Sequence, residues 1–334
     1  MSVQEALAPG TTVTYLEAIR QGLWRELESD PSVFLLGEDI AEFGGAFKVT
    51  AGMFDRFGAE RVINTPIAES AILGVAIGAA LYGLRPVAEM QFIDFLACGF
   101  NPLVNFAATQ HYRAGTPVPM VVRGPCGGHV RGSAFHSQNP EGFYLRAPGL
   151  KIVAPATVAD AYGLIRGAIR DPNPVLYLEH KYLYRRIKGE LPGDEGVLPL
   201  GQARLARDGR HLTVLTWGAM VHTALEAAER LAQEDGAELA VVDLRTLKPL
   251  DEALILDTVR RTSRALVLSE EPLTGSAAGE VAALVAEKAF AWLDAPVARL
   301  CCLDTPVPFS PPLEDYYLPN VDKLCARVRE LLSY

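Results

Sequence analysis

Short apolar runs that suit buried strands alternate along this chain with longer runs whose apolar residues recur at helical spacing, and that alternation leaves few folds open. "VFLLGED" (33–39), "RPVAEMQF" (85–92), "VPMVVRGP" (118–125) and "PVLYLEH" (174–180) read as strands. Between them, "TYLEAIRQGLWRELESD" (14–30), "AILGVAIGAALYG" (71–83) and "FNPLVNFAATQHYRAG" (100–115) read as helices, the second of them buried; Gly83 and Gly115 end the last two. "GLKIVAPATVADAYGLIRGAIRD" (149–171) reads as strand, proline turn and helix. Apolar strands separated by helices build mainly parallel sheets covered on both faces, so the expected class is α/β.

The periodicity breaks at "RRIKGELPGDEGVLPLG" (185–201), where proline, glycine and charge cluster, and then restarts. "HLTVLTWG" (211–218), "ELAVVDLRTLKPLD" (238–251, a strand with its exit loop), "RALVLSEEP" (264–272) and "APVARLCCLD" (295–304) supply further strands, with helices at 219–235, 275–293 and 320–333. Two α/β domains are expected, 1–190 and 206–334, joined by a linker at 191–205. A length of 334 residues is comfortable for two domains.

Hydrophobic residues make up 49% and charged residues 21%, an ordinary globular balance. The formal net charge of -9 argues against nucleic-acid or membrane-surface binding, which calls for basic stripes. Cys98, Cys126, Cys301, Cys302 and Cys325 show no CxxC spacing, so a disulfide framework or zinc site is not expected and a reducing compartment is. The N-terminus lacks the basic flank and apolar core of a signal peptide. The longest apolar run, around Ala68 to Tyr82, is too short for a bilayer. A cytoplasmic protein is expected.

No phosphate-binding P-loop, no GxGxxG after a strand and no HExxH is present, and Ser276 in "GSAAG" falls one place early for a nucleophile elbow. The chemistry has to sit elsewhere. In "TPIAESAILG" Thr65 and Pro66 suit a helix start, but a capping box would need its acid at position 68, which is Ala. Glu69 is therefore either a carboxylate facing the helix dipole or a group that handles a proton. Glu38-Asp39 lies where a strand ends, the place where α/β sheets bind ligands, though a polar turn explains it too. "RGPCGGHVRGSAFHSQNPEG" (123–142) packs five glycines with His129 and His136, which suits close approach to a ligand or a plain surface loop. Phe92 and Phe95 could cover a flat ring or pack in the core.

Taken in order, "LLGEDIAEFGGAFKVTAGMFDRFGAERVINTPIAESAILGVAIGAALYGLRPVAEMQFIDF", "HSQNPEG", "VVDLRTLKPLD" and "DTPVPFSPPLEDYYLPN" closely resemble the beta subunit of the thiamin-diphosphate-dependent 2-oxo acid dehydrogenases. That family includes the first components of the pyruvate, branched-chain and acetoin dehydrogenase complexes. The resemblance runs over nearly the whole chain after about residue 12. It implies a thiamin pyrimidine-binding fold followed by a transketolase C-terminal-like domain.

What the resemblance implies for residues is specific. Glu69 matches the glutamate that hydrogen-bonds the aminopyrimidine of thiamin diphosphate and lets that ring take the proton from C2 of the thiazolium. Phe95 matches the aromatic against the pyrimidine, and Gln91 lines the same pocket. Glu38 matches a second buried acid. His136 matches the histidine at the channel mouth, which serves substrate binding and acyl transfer to a lipoyl group. Ala168, Asp171 and Asn173 match a monovalent-cation site, K+ in relatives.

The Gly-Asp-Gly motif that holds the diphosphate and Mg2+ in thiamin enzymes is absent; "PGDEG" (192–196) fails the pattern. The chain thus looks like half an active site. The resemblance implies an alpha subunit that supplies the other half in an α2β2 heterotetramer. It further implies a lipoyl-bearing acyltransferase core as partner and a small 2-oxo acid as substrate, pyruvate or branched-chain. Acetoin, or a different transketolase-type half enzyme, is the alternative.

Overall fold

The computed structural model describes residues 6–334. The chain divides into two compact units: residues up to Cys126 together with Arg146–Leu200, and Gly127–Leu145 together with Gly201–Tyr334. The boundary near 191–205 thus falls at 200/201. A second exchange, at 127–145, carries the glycine-rich loop into the unit that holds the C-terminal half.

In the first unit, strands run in the spatial order Lys151–Val153, Val175–His180, Val121–Cys126, Arg85–Glu89, Val33–Gly37, Val62–Asn64, and every one of these pairings is parallel. They are buried along most of their length, as two-sided apolar strands must be. Thr12–Thr14 pairs antiparallel with Lys188–Glu190. Helix Tyr15–Ser29 starts with a full capping box, Thr14 and Glu17 each taking the other's backbone N–H. Its buried Glu26 accepts from Arg166 Nε at 2.8 Å and Arg170 Nε at 2.9 Å on helix Val158–Arg170. The stretch expected to be a free linker is partly pinned to that same helix. Leu198 N–H donates to Gly163 O at 3.1 Å, and a Cβ on Gly163 or Gly167 would lie 2.4 Å from Gly196 O or 2.2 Å from Leu198 O. Glycine at those two positions lets the extended chain lie on the helix backbone.

Three departures from the sequence expectation have local causes. The helix expected at 71–83 runs Glu69–Leu81, and only Ile72, Leu73, Ala76 and Ala80 are buried, while Val75 is 59% exposed. A helix apolar on every side gives no periodic signal of which face is covered. The helix expected at 100–115 is helical over 100–114 but widens into a π-helical turn, Pro102–Ala107, before the α-helix Ala108–Ala114, and a 3₁₀ segment, Ile93–Gly99, leads into it. Pro102 lacks the N–H that a continuous α-helix would use. The stretch 238–251, expected as a strand with its exit loop, gives strand Leu239–Asp243, and past Arg245 at φ 56° the loop adds a second short strand, Thr246–Lys248.

The second unit has a sheet in the order Ala298–Cys302, Ala265–Pro272, Leu212–Thr216, Leu239–Asp243, Arg204–Arg207, parallel except for the last, antiparallel edge strand. Helices Met220–Asp235, Glu252–Thr262, Ala277–Lys288 and Val321–Leu332 accompany it. None of the five cysteines is in a disulfide, and no described helix is long and apolar enough to cross a membrane.

Behind the strand ends of the first unit lies a buried ion cluster. Arg123 is ion-paired with both Glu89 and Glu179, donates from Nη2 to Glu179 Oε2 at 2.7 Å, and the Tyr184 hydroxyl donates to that same oxygen at 2.7 Å. Removing the one cation strands two buried carboxylates, which typically costs about 3–5 kcal/mol. Arg123→Met is expected to lower the urea midpoint by that order, and adding Glu89→Gln and Glu179→Gln to it is expected to recover most of the loss. A single-variant loss below about 1 kcal/mol would show that the cluster is solvated.

Candidate active site

The sheet of the first unit reverses direction at strand Val33–Gly37. The chain leaves it for Val62–Asn64 on one side, whereas the adjacent strand Arg85–Glu89 leads away to Val121–Cys126 on the other. Adjacent parallel strands whose exits diverge open a crevice at their carboxyl ends. Glu38 follows the first of these strands and Gln91 the second. Gly37 and Glu89 are register partners, so the two exits lie side by side.

Glu38 is buried, and its pKa is raised by that burial, then by the negative charges of Glu69 and Asp39. The fold therefore brings the two expected acids within electrostatic reach. Glu69 is the first residue of its helix and half-buried. Thr65 does not cap that helix. Its N–H extends the strand pairing to Gly37 O at 3.0 Å, and its Oγ1 is buried with no hydrogen-bond partner among the described residues. Proline at 66 holds Thr65 extended, so helix geometry begins three residues later than a Thr cap would place it. Ala68 caps without a side-chain bond, leaving the first-turn N–H groups beside Glu69 without a side-chain acceptor from the cap.

Phe95 stands in the 3₁₀ segment, half-buried, with its ring 6.0 Å from Phe92 at 79°. Phe92 packs edge-on to Phe47 at 5.4 Å, and Phe47 lies 5.4 Å from the Tyr184 ring of the ion cluster. An aromatic wall thus links the crevice to the buried charges. Gly45, at φ 80°, leaves room for Glu89, whose Oε1 would lie 3.2 Å from a Cβ there. Two half-buried aromatics, paired acids and an orphaned Thr65 hydroxyl suit a flat, nitrogen-bearing ring.

His136 belongs to the second unit. It closes the 3₁₀ turn Ser133–Phe135 and is half-buried. Its neighbours Ala134, Phe135 and Gln138 line a cavity of about 590 Å³ with Phe143, Glu271 and Tyr317. Ala168, Asp171 and Asn173 come together at the end of helix Val158–Arg170. Arg85 Nη1 donates to the neighbouring Ile169 O at 2.7 Å and to Asp171 O at 3.3 Å, Lys151 pairs with the Asp171 carboxylate, and Asn173 N–H donates to Asp171 Oδ1 at 2.9 Å.

Sequence reasoning missed the acids of the second unit. Trp217 Nε1 donates to Glu141 Oε1 at 3.0 Å, while Glu141 Oε2 is buried with no hydrogen-bond partner among the described residues. Burial pushes Glu141 up to about 7, with nearby Glu270 adding to the rise, and burial likewise pushes Glu271 well up, with Glu141 adding to it. Cys301 is pushed up by burial to about 11, and Cys302 further still, in keeping with packing thiols. Only the pairing of "PEG" with "SEEP" hints at such an acid cluster in the sequence.

Comparison with known proteins comes down on one family. Residues 11–186 match the transketolase pyrimidine-binding domain and residues 201–324 the transketolase C-terminal domain. A 2-oxoisovalerate dehydrogenase subunit beta of Bacillus subtilis is 48% identical over 97% of this chain and 100% of that protein. A pyruvate dehydrogenase E1 component subunit beta of Leifsonia xyli is 43% identical over 96% of this chain and 94% of that one. The beta subunit of an acetoin:2,6-dichlorophenolindophenol oxidoreductase of Cupriavidus necator is 42% identical over 95% and 96%. A solved structure described as a split-gene transketolase, inactive beta4 tetramer, has a TM-score of 0.77 at 22% identity over 96% of this chain and 98% of that one, and bears on the fold alone. The molecule is of transketolase type, with a pyrimidine-binding and a C-terminal domain. Within that class, the chain belongs to the family of 2-oxo acid dehydrogenase beta subunits, and thiamin diphosphate is the cofactor that goes with it.

The raised Glu141 carries a prediction. Its folded pKa lies above the ordinary value of 4.5, so the fold favours the neutral acid. Its contribution to stability is full below pH ~4.5, declines as pH rises to about 7, and is flat above, a loss on the order of 3 kcal/mol. Denaturation midpoints measured from pH 5 to 8 are expected to fall over that window. Glu141→Gln keeps an acceptor for Trp217 and is expected to flatten the curve; an unchanged slope would mean that the acid is already ionised at pH 5.

Proposed function

We propose that the protein is the beta subunit of a thiamin-dependent 2-oxo acid dehydrogenase that decarboxylates a small 2-oxo acid and passes the acyl group to a lipoyl arm. The observation that carries this is the pair Glu69 and Glu38 at the sheet's switch point, within electrostatic reach of each other in a crevice with an aromatic wall. Thiamin diphosphate supplies a carbanion-stabilising electron sink when bound. The chain's own groups do the rest. Glu69 holds a proton at the pyrimidine ring nitrogen, Phe95 lies against the ring face, Gln91 lines its edge, and Glu38 places a second proton-exchanging group behind Glu69. His136 contributes a proton donor toward the substrate and the lipoyl arm.

The half-site reading adds an alpha subunit carrying the diphosphate and Mg2+ sites. Its docking face is the uncovered side of helix Glu69–Leu81, where Ile67, Val75 and Tyr82 expose apolar surface. The C-terminal unit is assigned to contacts between beta subunits and with the acyltransferase core.

The test is turnover with a Gly-Asp-Gly-bearing alpha chain, thiamin diphosphate, Mg2+, an artificial electron acceptor and either 3-methyl-2-oxobutanoate, pyruvate or acetoin. Activity is expected to require both chains. Glu69→Gln, which keeps the shape but cannot take the proton, is expected to lower kcat by ~10²–10⁴ while the chains still assemble. A well-formed heterotetramer that turns over none of these substrates would refute the assignment, and the preferred acid identifies the complex.

A further inference from the structure

The loop that carries His136 is held at both ends by two consecutive carboxylates. In the strand pair of the second unit, Leu268 lies opposite Leu300 and Pro272 opposite Cys302, so four steps on one strand match two on the other. Such a bulge re-aims side chains that would otherwise alternate between faces. Ser269, Glu270 and Glu271 occupy it.

Glu270 Oε1 accepts the Gly128 N–H at 2.6 Å, near the start of the loop. Glu271 Oε1 accepts the Gly142 N–H at 2.7 Å, near its end. Glu271 Oε2 takes the Ala277 N–H at 2.9 Å, at the head of helix Ala277–Lys288, and the Ser269 hydroxyl at 3.3 Å. The loop end lies close against this anchor, since a Cβ on Gly142 would be 2.3 Å from Gly275 O and 3.0 Å from Glu271 Oε1. Between the two holds, Gly127 N–H closes on Gln138 O at 3.1 Å, and Arg131 reaches Glu314 at 2.5 Å and Asp315 at 2.8 Å.

We propose that Glu270 and Glu271 are positioning residues: from one bulge they fix the two ends of the 127–145 loop and so set where His136 stands. Each of these carboxyl oxygens accepts a backbone N–H that has no other acceptor among the described residues, and removing it leaves a buried donor without its acceptor. That fixing the loop matters for catalysis rests on the reading of His136 given above. That the loop is fixed does not.

The experiment therefore reads the loop directly, on the full chain. Amide hydrogen exchange is followed in Glu270→Ala, Glu271→Ala and Glu271→Gln, together with the rate at which diethyl pyrocarbonate modifies His136. Glu270→Ala is expected to speed exchange at least tenfold around Gly128, and Glu271→Ala around Gly142, with strand Leu212–Thr216 unchanged. His136 modification is expected to change at least threefold in both, and Glu271→Gln, which keeps one acceptor oxygen, to fall between. Unchanged exchange across 127–145, or exchange that rises equally throughout the unit, would overturn the proposal and leave the acids a purely structural part. In the assembly with an alpha chain, the pH profile of kcat/KM is expected to shift in the alanine variants and to return toward the parent in Glu271→Gln. Altered exchange in an assembly whose parent form has no turnover would support the positioning role and count against the assigned reaction.

Discussion

Burying one guanidinium between two carboxylates at the ends of parallel strands is the constraint on which the first unit depends. Arg123, Glu89 and Glu179 come from adjacent strands, and each would be costly to bury alone. Together they fix those strand ends side to side, just where the backbone turns out of the sheet. Glu89 is also only two residues before Gln91. Burial pushes Glu89 upward while Arg123 opposes it, and the Arg123 guanidinium is kept charged by its two partners. The charge cluster therefore acts below the candidate site, as the platform from which the crevice residues project.

What opens the crevice is topology. Strands Val33–Gly37 and Arg85–Glu89 are neighbours in the sheet but lead their chains in opposite directions. Glu38 and Gln91, fifty-odd positions apart in sequence, leave the sheet from adjacent strands for that reason. Glu69 arrives from the third strand exit, on a helix whose start is delayed by Pro66, so its carboxylate comes back toward Glu38.

The α/β class and the mainly parallel sheets were legible because buried strands and amphipathic helices leave periodic traces. Helix Met220–Asp235 shows this well, ending at Gly236 in a left-handed cap. The π-helical turn Pro102–Ala107 left no such trace, since its apolar spacing matches a plain helix. Helix Glu69–Leu81 hid its covered face by being apolar on every side. The individual site acids were visible as residues, but their meeting was not, because it depends on strand order. The Glu141–Glu271 pair was illegible for the same reason: 130 residues separate the two, and a bulge aims one of them.

The two units meet the cost of buried acid in different ways, and the difference fits their parts. In the first, a fixed cation, Arg123, answers Glu89 and Glu179. In the second, Glu141 and Glu271 are answered by N–H donors, Trp217 on one and Gly142 and Ala277 on the other. Donors of that kind hold a carboxylate without neutralising it, so the pair keeps a proton that it can lose near pH 7. The rigid platform lies under the residues that must hold a ring in one place. The titrating pair lies against one end of the loop that carries His136, where a change in charge is felt by a backbone N–H. A platform and a tether have opposite physical requirements, and the chain meets them with the same residue type by choosing what stands opposite it.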